Sequence, residues 1–101
     1  MSGALAQARA YGLTVRFADL GDWGRDELRS EYDPATLEIR LNLRVAAALS
    51  ARDLGVFVAI AVGHELYHHR ERIGEVPTLR DRRARESAAD DFARGLLRRT
   101  P

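Results

Sequence analysis

The stretch Leu54–Val62 is apolar nearly all round, and it passes without a turn signal into the charged segment His64–Arg72. A helix that is apolar on every side has to be surrounded by the rest of its domain. This segment therefore predicts a central, buried helix whose polar end emerges at the surface. Ser50-Ala-Arg-Asp53 has the pattern of its start, with Ser50 as the cap and Asp53 favourable in the first turn. Gly74 marks its end.

The remaining segments must pack around that helix. Residues 3–11 are rich in helix formers and stop at Gly12. Thr14-Val-Arg-Phe17 alternates and reads as a strand, Gly21-Asp-Trp-Gly24 as a loop, and Leu28–Tyr32 as a weaker strand. Asp33-Pro34-Ala35-Thr36 suits a tight turn. In Leu37–Arg44, Leu37, Ile39, Leu41 and Leu43 alternate with Glu38, Arg40, Asn42 and Arg44, which predicts a strand with one buried and one polar face. Thr78 and Asp81 open a last helix running to Arg99, with Ala89, Phe92, Ala93, Leu96 and Leu97 as its inward stripe. The expected fold class is α+β. A small antiparallel or mixed sheet of about three strands packs on the central helix, flanked by an N-terminal and a C-terminal helix.

A chain of 101 residues makes one domain, residues 1–101, and a bound metal would add useful stability to so small a core. Net charge is +1 with both signs mixed along the chain, which argues against a nucleic-acid footprint or a polybasic membrane anchor. Arg80, Arg82, Arg83 and Arg85 gather around Asp81, and a solvated helix face accounts for that run. The apolar segment is too short to span a bilayer, and no signal peptide is evident, so a cytoplasmic protein without membrane partners is expected. With no Cys present, any metal has to be held by His and carboxylate side chains.

Such side chains occur on the central helix. His64-Glu65-Leu66-Tyr67-His68 is an H-E-x-x-H sequence. At about 100° per residue, positions i and i+4 fall within about 40° of each other, so both imidazoles project from one face. That separation suits two nitrogens on one tetrahedral Zn²⁺, with Glu65 close enough to act as a base on metal-activated water. Mn²⁺ or another divalent ion is compatible with the same donors. His69 points off this face. Glu71 and Glu75 follow too soon to fold back over the metal. Glu86 is better placed as the third ligand, because the Gly74–Pro77 break lets the chain reverse, and Asp90 one turn on could orient a ligand histidine.

Spacing alone implies a metallohydrolase. In combination, the segments resemble a gluzincin, and more narrowly the ImmA/IrrE family of small zinc peptidases. The resemblance is carried by His64–His68, by Glu86-Ser-Ala-Ala-Asp-Asp-Phe92-Ala93, and by the strand pair Tyr32-Asp-Pro-Ala-Thr and Ile39-Arg-Leu-Asn42. Tyr67 stands where that family often has glycine, Ala88 replaces a glutamate and Asp90 an asparagine. The resemblance implies one zinc ion and cleavage of a protein substrate such as a helix-turn-helix repressor. Tyr67, His69 and Tyr32 are then candidate oxyanion donors. The edge of Leu37–Leu43 could take substrate as an added strand, with Asn42 near the cleft. The competing expectation is a module in which zinc staples the helices and regulation proceeds through protein contact.

Overall fold

The computed structural model describes residues 3–21 and 29–99. The elements, in chain order, are α1 (Gly3–Ala10), β1 (Thr14–Ala18), β2 (Ser30–Asp33), β3 (Glu38–Asn42), α2 (Leu43–Ala47), α3 (Ala51–Arg72) and α4 (Arg82–Arg99). The architecture is α+β with a three-stranded mixed sheet. Parts of two expected elements, Asp22–Gly24 of the loop and Leu28 of the second strand, lie outside the described residues.

The sheet order is β1-β3-β2, with β1 parallel and β2 antiparallel to β3. Expectation and structure part over β3 in three ways. It is the central strand, so both its edges are already paired and it cannot receive an added strand; among the described residues, the sheet edge beside the helices belongs to β2. It is also shorter than its alternation suggested. Leu37 belongs to the preceding turn, at φ +56°, where an L-residue is held at a cost of about 1–2 kcal/mol, and is not an inward strand residue. At the other end, Leu43 and Arg44 enter the short helix α2, capped by Asn42, and Leu43 is exposed.

That cap explains Asn42. Its Oδ1 accepts from the Arg44 amide at 3.1 Å and the Leu20 amide at 3.3 Å, while Nδ2 donates to the Gly21 carbonyl at 3.1 Å. With 1% exposure it serves the strand-to-helix corner and does not reach a cleft, contrary to the substrate contact expected of it.

The inner face of β3 carries Ile39 and Leu41, which pack with Val62 and Leu66 of α3. The outer face is a grid of ion pairs centred on Arg40, which meets Glu31, Asp33 and Glu38. Ser50 caps α3 as expected, accepting from the Asp53 amide at 3.2 Å. The last helix starts later than Thr78 suggested. Asp81 is its capping side chain, accepting from the amides of Arg83 and Ala84 at 3.3 Å each. Helices α3 and α4 are in close contact at Gly63, where a Cβ would lie 2.8 Å from Ala93 Cβ. Absence of a side chain at this point lets α4 lie directly against the turn that precedes His64.

Candidate metal centre

Three nitrogen and oxygen atoms converge just past that close approach. His64 Nε2 and His68 Nε2 are 3.1 Å apart. Glu86 Oε2, arriving from α4, lies 2.7 Å from the first and 3.5 Å from the second. Ligands at 2.0–2.1 Å from a tetrahedral ion are separated by about 3.3–3.4 Å, so these atoms have the size of one face of such a tetrahedron. His64, Glu65 and His68 also each offer one atom within 4.8 Å of the others, and this cluster could hold a metal ion.

The opposite ring nitrogens are both engaged. His64 Nδ1 lies 2.7 Å from Asp90 Oδ1, and His68 Nδ1 lies 2.7 Å from Glu71 Oε1. A carboxylate can only accept, so each Nδ1 carries a proton and a neutral ring presents its Nε2 lone pair. Two lone pairs and a carboxylate oxygen facing one point repel one another. A proton on one Nε2 relieves part of that repulsion, whereas a cation among the three relieves all of it.

No family model, curated protein or solved structure matches the chain. Identification therefore rests on the site itself.

Glu65 is buried between the histidine turn and the sheet, and its Oε2 accepts from Ser30 Oγ at 2.6 Å. Burial raises the carboxyl above its ordinary value; the Ser30 hydrogen bond and the two nearby histidines act against that rise without cancelling it. Burial would lower His64, but Glu65, Asp90 and Glu86 outweigh it and leave the imidazole raised.

Two cavities meet at this cluster and share Tyr32, Glu65, His68 and Glu86 as walls. The larger, about 810 Å³, extends along the first half of α3 over Val56, Phe57 and Ile60, with Ser30 and Tyr32 of β2 opposite. The smaller, about 480 Å³, is bordered by side chains that carry polar or charged groups, among them Glu71, Arg72, Thr78 and Arg85.

Of the residues singled out from sequence, His64, Glu65, His68, Glu86 and Asp90 come together. Asn42 and Tyr67 do not join them at the cavities. The Tyr67 ring packs against Phe92 at 5.8 Å between centroids and edge-on to His68 at 6.3 Å. His69 is buried with its ring between Tyr11 and Tyr32, and its Nδ1 lies 2.6 Å from the Tyr32 hydroxyl. Three neighbours of the cluster have roles the sequence reading did not assign: Ser30, Glu71, which was weighed only as a third ligand, and Arg85, which pairs with Glu71 instead of lying on a solvated helix face. Only Glu71 had a visible signal, its i+3 spacing from His68.

Proposed function

We propose that this chain is a zinc-dependent peptidase of the gluzincin type, similar to the ImmA/IrrE peptidases, with His64, His68 and Glu86 as metal ligands and Glu65 as the general base. The observation that carries this reading is the convergence of His64 Nε2, His68 Nε2 and Glu86 Oε2 within 3.5 Å of one another at the wall of an open cleft. Three protein ligands and an open fourth position are the hallmark of a catalytic site; a structural one is closed by four.

Zinc held there would supply Lewis acidity, polarising a carbonyl and acidifying water. The protein's own groups do the rest. Ser30 holds Oε2 of Glu65, so Oε1 is the atom left to take a proton from the attacking water and return it to the leaving amine. Asp90 keeps the His64 imidazole oriented with Nδ1 protonated. Tyr32, on the wall common to both cavities, is the candidate for a hydroxyl donor to the developing oxyanion in place of Tyr67, a role in which His69 Nδ1–H donates to the Tyr32 oxygen and leaves the hydroxyl proton free.

An extended peptide fits the cleft by pairing with the open edge of β2, which supplies one wall of the larger cavity. The apolar floor of Val56, Phe57 and Ile60 would receive a bulky apolar side chain next to the scissile bond. A segment of a regulatory protein such as a helix-turn-helix repressor is the substrate class the resemblance suggests.

The test is cleavage of a fluorogenic peptide library by zinc-loaded protein, with and without chelator, beside Glu65→Gln. Chelator should stop cleavage and zinc should restore it. Glu65→Gln should bind zinc and cleave nothing, because its amide cannot accept the proton. Cleavage by Glu65→Gln at the native rate, or full zinc binding with no cleavage by the unaltered protein, would overturn the peptidase reading; the second result would favour a zinc-stapled binding module.

A further inference from the structure

His68 has a carboxylate beside each ring nitrogen, one from α4 and one from its own helix α3. On the Nε2 side stands Glu86 Oε2 at 3.5 Å. On the Nδ1 side, at 2.7 Å, stands Glu71 Oε1, whose side chain is only 3% exposed. A carboxylate so enclosed needs partners for its oxygens. Arg85 provides them, donating from Nε to Glu71 Oε2 at 3.2 Å and from a terminal nitrogen to Oε1 at 3.5 Å. Arg85 and Glu86 are consecutive in the chain, so the same turn that brings the carboxylate to the ring also fastens the acid behind it.

We propose that Glu71, held by Arg85, is the positioning residue that fixes the tautomer and orientation of His68 for metal binding. This rests on the metal-site reading above and adds to it a second carboxylate–imidazole pair alongside Asp90 and His64. The pairs differ in surroundings: Asp90 is half exposed, while Glu71 is enclosed between the helices. Because an ionised carboxylate has no proton to donate, Glu71 admits only the Nδ1–H form of a neutral His68. Arg85, donating to both carboxylate oxygens, stops Glu71 from rotating away.

A merely structural role is conceivable, in which Glu71 and Arg85 only dock α4 on α3. The two roles separate on the histidine itself. Full-length protein is stripped with chelator, its ring tautomers are read by long-range ¹H–¹⁵N NMR, and Zn²⁺ affinity is measured by competition with a chromophoric chelator. Unaltered protein should bind one Zn²⁺ per chain; if it does not, the metal-site reading falls and this proposal with it. Given that binding, Glu71→Gln should lower Zn²⁺ affinity by about 10–100-fold and let the metal-free His68 populate the Nε2–H tautomer. Arg85→Lys should retain most of the affinity, and Arg85→Met should lose part of it. A Glu71→Gln protein with unchanged tautomer and unchanged affinity would overturn the proposal while leaving the metal site intact. Should Glu71→Gln fail to fold, Arg85→Met decides by the same two readings.

Discussion

The carboxyl of Glu65 lies under opposing influences: burial raises it, and the Ser30 hydroxyl with His64 and His68 restrains the rise. Ser30→Ala removes one restraint. A hydrogen bond to a charged group is worth about 1.5–3 kcal/mol, or about 1–2 pH units. In the proposed reaction Glu65 must be deprotonated to act, so a higher pKa moves the acidic limb of the kcat/KM profile to higher pH. A pH–rate profile of Ser30→Ala should show that shift with zinc affinity unchanged. The donors also rank: Asp90→Asn should weaken zinc binding by about 10–100-fold, and Glu86→Gln by more, because the second removes a charged ligand and the first only its neighbour's support. Equal losses in a chelator-competition titration would contradict that ordering. At this scale the sequence was informative where chemistry follows helical spacing, as for His64, Glu65 and His68. It was silent on Ser30, which reaches Glu65 across 35 positions through the sheet. It misled at Asn42, where a polar residue in an alternating run looked solvent-facing but is the cap of the next helix.

Among the elements, the pairing of α3 with α4 determines whether the site exists, and that pairing depends on Gly63. A Cβ there would meet Ala93 Cβ at 2.8 Å and Ala93 Cα at 2.9 Å, and neither atom belongs to a flexible side-chain end. Gly63→Ala should gain about 1 kcal/mol of helix propensity yet lose about 1–3 kcal/mol to overpacking, for a net destabilisation. It should also weaken zinc binding, because α4 must move outward at the residue next to His64 and carry Glu86 with it. Adding Ala93→Gly should restore part of both, and thermal melts with zinc titrations of the single and double variants measure the coupling. A glycine beside a metal motif is visible in sequence, but its partner 30 positions away is not. The start of α4 was misjudged for a similar reason. Thr78 and Asp81 both have capping side chains, and only the path of the chain after Gly74 decides that Asp81 takes the position.

At the scale of the whole molecule, the fold class was legible because the apolar helix could be buried in few ways by a chain this short. Strand order was not. Alternation along Leu37–Leu43 reports which face of a strand is buried and says nothing of its neighbours in the hydrogen-bonding direction, so the central place of β3 was not deducible. That place leaves β2, among the described residues, as the sheet edge beside the cleft, and so changes where a peptide could add.

The donors come from two helices joined by a long loop, so a metal bound to them ties α3 to α4 and should stabilise the fold as a unit. Binding to the folded state alone contributes about 2.7 kcal/mol when free zinc is 100 times its Kd. For a domain of this size each 1 kcal/mol raises Tm by about 4–8 °C, so zinc should raise it by about 10–20 °C, reversibly with chelator. Glu65→Gln should keep that rise, since Glu65 is not one of the three converging donors. Glu86→Gln should lose most of it, because the ion then holds two rings of α3 and nothing of α4. Calorimetric scans of the three proteins with and without zinc distinguish this linkage from weak surface binding, which would shift all three alike. A zinc-induced rise that survives in Glu86→Gln would place the third donor elsewhere. With Glu65, Glu71 and Asp90 as the remaining acids about the histidines, a double variant of Glu86 with each in turn would then find it.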